Sequence, residues 1–173
     1  DTPNEGGHIV INLLDSAATH PDCGVKGCAA AYINGGAVAK LAKDNGWNLD
    51  SAYTNNIYEA YRSGQDINHQ AAAKAIEVLA EHIAYWAMSL NLLMHIEKIV
   101  LGGGASDKIL IDKVNDIIRH NPEFNNKVQV DLTEIGYYAG CVGAAQFANK
   151  IRQNRNGEIK DYSGERIRIP DVI

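Results

Sequence analysis

The sequence predicts an α/β fold, a β-sheet flanked by helices, and three observations carry that reading. Short β-branched runs bounded by glycines alternate with longer stretches of helical composition. One stretch keeps a three-and-four apolar spacing for about seven turns. The later strand-like runs are separated by a helical segment long enough for a crossover, which favours parallel pairing. With 173 residues, 46% hydrophobic, 21% charged and a net charge of −5, the chain suits one globular domain or one lobe of a larger protein.

The elements follow in order. "HIVINLL", residues 8 to 14, is β-branched and bounded by glycines and an Asp-Ser turn, and is predicted as a strand. After a loop over 15 to 27, "CAAAYINGGAVAKLAKDNG" has helical composition, loosened by Gly35 and Gly36 and closed by Gly46. A short helix over 55 to 63 ends at Gly64. From Asn68 to about Leu93, the positions Ile76, Leu79, Ile83, Trp86, Leu90 and Leu93 mark one apolar stripe of a long amphipathic helix. Lys98 to Leu101 is a short buried strand, followed by a triple-glycine turn and a helix from about Asp107 to His120 with Ser106 as its cap. "KVQVDL", 127 to 132, is the next strand, and 136 to 152 a glycine- and alanine-rich last helix. The tail from 153 to 173 is polar and stays unassigned.

Composition excludes several classes. A strongly basic nucleic-acid footprint is absent. The longest apolar stretch, "IAYWAMSLNLLM", has 12 residues, short of the roughly 20 that a membrane span needs. The chain starts abruptly, without an initiating methionine or a secretory signal, and is expected to be a piece of something longer. Three cysteines and no signal argue for a reducing compartment, so the cytoplasm is the expected location. Cys141, in "YYAGCVGAAQFA", is expected to be a small buried hydrophobe.

Two stretches carry chemistry. "HPDCGVKGC", residues 20 to 28, concentrates two of the cysteines, with Gly24 and Gly27 allowing the loop to fold back. Zinc takes nitrogen and sulfur donors near tetrahedral geometry. Cys23 and Cys28 supply two, His8 a third, and His20 or Asp22 lies nearest in sequence for the fourth; a metal-free turn with two thiols is the alternative. Gly102, Gly103 and Gly104 stand between a strand and a helix start, where backbone N–H groups favour a phosphate or let a nucleotide approach; the other reading is a tight turn that simply needs glycine. His69, His82, His95 and His120 are read as surface or satisfied histidines.

"EGGHIVIN", "CGVKGC", "AYINGGAVAKLA", "IEKIVLGGGAS" and "GCVGAAQFA", in that order over roughly residues 4 to 149, resemble the C-terminal lobe of ROK proteins, the group of repressors, open reading frames and sugar kinases. The resemblance implies an actin-like ATPase, ribonuclease-H-like lobe over 1 to 152 and an N-terminal lobe outside this chain. It implies that Glu5 and His8 contact sugar hydroxyls, that Gly102 to Gly104 face ATP with its Mg²⁺, and that His8, Cys23, Cys28 and His20 hold a structural zinc. The family's zinc pattern has three cysteines; Cys23 and Cys28 match the second and third, and Pro21 stands in the place of the first. Where the family carries a sugar-binding glutamate, this chain has Ala30, a loss of about 1.5–3 kcal/mol, or roughly ten- to a hundredfold in affinity. The phosphate-binding turn and the catalytic aspartate belong to the N-terminal lobe, so no catalytic residue is expected in this chain, and the piece alone is expected to be inactive. The parent is expected to be an ATP-dependent kinase of a hexose or N-acyl hexosamine, or alternatively a sugar-sensing repressor that binds DNA, or a degenerate non-catalytic member. A homo-oligomer is the expected assembly.

Overall fold

The structure, a computed structural model, describes residues 6–12, 23–154, 159–160 and 166–167. It contains one compact unit over Glu5–Glu134 and another that includes Ile135–Ile173.

In the first unit, helix α1 (Ala29–Tyr32) is followed at once by α2 (Gly35–Asp44). The predicted single helix is thus broken, and Asn34 breaks it. Its side-chain oxygen accepts from Ala37 N at 2.8 Å, capping α2, while its amide donates to Ala30 O at 2.7 Å. Helix α3 spans Thr54–Ser63 and stops at Gly64, whose φ of +66° is left-handed.

Helix α4 (His69–Met94) is the central post, and α2, α3 and α5 pack around it. Its buried positions include Ile76, Leu79, Ile83 and Leu90, together with alanines 71, 72, 75, 80, 84 and 87, whose small side chains let neighbouring helices come close. Leu93 departs from the predicted stripe at 69% exposure, because the last turn of α4 runs past the core.

Strand β1 (Lys98–Leu101) and strand β2 (Gln129–Leu132) pair in parallel, Ile99 opposite Val130, with helix α5 (Lys108–His120) as the crossover. This is the α/β arrangement that the alternation predicts. The cap of α5 is Asp107 rather than Ser106: its carboxylate accepts from Ile109 N at 2.9 Å. Of the predicted strand over 8 to 14, residues 8 to 12 are described and do not form it. Gly6–His8 is a 3-10 turn, and only Val10 makes a ladder contact, an antiparallel bridge to Cys28. The partner is a tight loop rather than a strand, and among the described residues the bridge stays single; residues 13 and 14 lie outside them.

The other unit carries a 3-10 turn (Gly136–Tyr138), helix α6 (Ala139–Asn154), and strands β3 (Ile159–Lys160) and β4 (Arg166–Ile167), paired antiparallel. Cys141 is exposed, contrary to expectation. The contiguous core of the first unit runs from Val38 to Val130. No described helix is long and apolar enough to cross a membrane.

Candidate metal and sugar-facing site

The turn Gly6–His8 is seated on α4. The Trp86 indole donates to Gly6 O at 2.8 Å, and a Cβ on Gly6 would lie 3.4 Å from Leu90 Cδ2, in van der Waals contact with the helix. From there the chain is zipped to the cysteine loop. Ile11 N and Asn12 N donate to Gly27 O at 2.8 and 3.1 Å, and Ala29 N donates to Ile9 O at 2.8 Å. Gly24 and Gly27 adopt φ of +64° and +71°, conformations that cost a residue with a Cβ about 1 kcal/mol or more, and these two positions fold the loop back on itself.

The result brings three donors together. One ligand atom each from His8, Cys23 and Cys28 lies within 4.8 Å of the others, with Cys28 buried and Cys23 half-buried. The two sulfurs are 3.6 Å apart, far longer than the ~2.05 Å of a disulfide. Two thiolates at ~2.3 Å from a tetrahedral zinc stand ~3.8 Å apart, so the donor set fits that ion. Of the predicted set, the structure thus assembles His8, Cys23 and Cys28; His20, Asp22, Pro21 and the sugar-facing Glu5 lie outside the described residues.

Ala30 is beside this turn. A Cβ on Gly7 would lie 3.7 Å from that of Ala30, so the position at which the resemblance implies a glutamate packs against Gly7. The Tyr32 ring rests on His82 of α4 with centroids 4.6 Å apart, fixing α1, which carries Ala30, to the central helix.

Gly102, Gly103 and Gly104 form the exposed turn between β1 and α5. Gly103 has φ of +99°, and its carbonyl accepts from Ser106 N at 3.2 Å. A Cβ at Gly103 or Gly104 would meet nothing within 4 Å among the described residues. Two residues that sequence reading missed hold its far end: Tyr58 donates to Ala105 O at 2.9 Å, and Arg62 pairs with Asp107. Burial, reinforced by the Asp107 charge, raises the Tyr58 pKa well above the ordinary phenol value, so the hydroxyl stays a donor.

Trp86 was also missed as a site residue, since its spacing on α4 reads as core. The signal available was chemical: a Trp that is largely buried needs a partner for its N–H. Trp86→Phe, which removes the donor and part of the indole packed at Gly6, is expected to lower stability by about 1–3 kcal/mol in a urea titration with unchanged slope.

The ROK family model matches residues 2–151. The chain is 26% identical over 147 residues to the N-acetylmannosamine kinases of Haemophilus influenzae strains PittEE and 86-028NP, covering 84% of this chain and 46% of each relative. It therefore spans about half the length of the curated relatives it matches.

Proposed function

The chain belongs to the ROK family, and from that premise we propose that it forms the C-terminal lobe, over residues 1 to 152, of an ATP-dependent kinase acting on a hexose or N-acyl hexosamine. The observation that carries this reading is the position of His8. It ends a turn gripped by Trp86 on one side and shares a donor cluster with Cys23 and Cys28 on the other, as a sugar-contacting histidine held from behind by a metal would require. The likeness to N-acetylmannosamine kinases supports the N-acyl hexosamine class.

In this reading Glu5 and His8 bind sugar hydroxyls, and Gly102 to Gly104 meet the nucleotide of Mg·ATP. His8, Cys23 and Cys28, with His20 as the nearest fourth donor, hold a zinc, which supplies no chemistry beyond fixing the loop and the His8 ring. Proton removal from the sugar hydroxyl falls to the lobe outside this chain, so phosphoryl transfer needs the whole parent.

Ala30 favours a second reading, a sugar sensor or non-catalytic relative, because the alanine beside Gly7 offers no hydrogen bond to a sugar hydroxyl. The deciding experiment assays the intact parent with Mg·ATP against a panel of hexoses and N-acyl hexosamines. Phosphorylation of one of them is the expected result; sugar binding without turnover would replace the kinase reading with the sensor.

A further inference from the structure

Resting on the reading of Gly102 to Gly104 as the nucleotide-facing turn, we propose that Tyr58 and Arg62 on α3 are positioning residues that set the shape and charge of that turn for the nucleotide. A Cβ built on Gly103 or Gly104 would meet no described atom within 4 Å, so at these two positions no packed side chain among the described residues holds the turn. What fixes the turn comes from α3, 45 and 47 residues away in sequence. Tyr58, 2% exposed, donates to Ala105 O at 2.9 Å, and the buried Ile57 and Ala60 beside it anchor α3 in the core.

Arg62 acts on charge. Asp107 caps α5 through Ile109 N and stands three residues beyond Gly104, where an unpaired carboxylate would repel an anionic nucleotide. The Arg62 guanidinium pairs with that carboxylate while lying 5.9 Å from the Tyr58 ring centroid, so the two residues form one unit behind the turn.

The test is calorimetric titration of the intact parent with Mg·ATP and, separately, with N-acetylmannosamine, alongside thermal melts. Tyr58→Phe is expected to raise the Mg·ATP Kd roughly three- to tenfold, the span of one neutral hydrogen bond, and to leave the sugar Kd within about twofold. Arg62→Gln is expected to weaken Mg·ATP in the same range. The double variant Arg62→Gln/Asp107→Asn is expected to restore it to within about twofold, because Asn caps a helix without the charge. An unchanged Mg·ATP Kd in the single variants, or equal weakening of both ligands with a lowered melting point, would overturn the proposal. Absence of recovery in the double variant would remove Arg62 from it. A wild-type parent that fails to bind Mg·ATP overturns the kinase reading itself and this inference with it, an outcome separate from the others.

Discussion

Serine in place of Cys28 is expected to strip the purified protein of zinc, from about one ion per chain to a trace, and to lower its melting temperature by roughly ten degrees. The substitution is nearly isosteric at a residue with no exposed surface, so packing changes little and the loss reports on the ligand. Two of the three assembled donors are thiols, and the described residues offer no replacement within the cluster. The effect should be large because Cys28 has two jobs. Its sulfur would be one of the ion's ligands, and its backbone bridges Val10, so a bound metal would tie the loop to the segment that follows His8. Elemental analysis and thermal melts of wild type, Cys28→Ser and Cys141→Ser check this, the exposed Cys141 serving as a thiol outside the cluster. Chelator treatment of wild type should lower the melting point in the same direction. Wild type that is metal-free as purified, does not take up added zinc, and melts as Cys28→Ser does would reject the metal.

The same loop shows where the sequence could be read and where it could not. Cysteines at 23 and 28 with intervening glycines announce a folded-back loop, because positive φ at Gly24 and Gly27 is a local requirement with a local signature. The companion expectation, a strand from residue 8, failed because strand propensity is realised only against a partner of matching length, and Val10 meets only the loop. Helix α4 was legible nearly to the residue, since a long periodic stripe and small alanine positions speak for themselves. The ties that make a site are different. Trp86 to Gly6 joins residues 80 apart, and Tyr58 to Ala105 joins residues 47 apart; no spacing rule links them, and only the packing of α3 and α4 brings them together.

That dependence on α4 gives the second large expectation: Leu79→Ala should cost about 2–5 kcal/mol of folding stability. Leu79 is 1% exposed and sits midway along the helix against which α2, α3 and α5 pack. The neighbouring alanines have no volume to fill the cavity left behind, and the facing helices are already in close contact, so relaxation can recover only part of the loss. Denaturant titration should show the midpoint falling with an unchanged slope, as for a cavity that leaves the exposed surface on unfolding alone. Zinc content should stay at the wild-type level, because the donors His8, Cys23 and Cys28 are not on α4. A cost below about 1 kcal/mol would mean that the site collapses around the smaller side chain, and α4 would then be a replaceable filler rather than the post from which both the Gly6–His8 turn and α3 are hung.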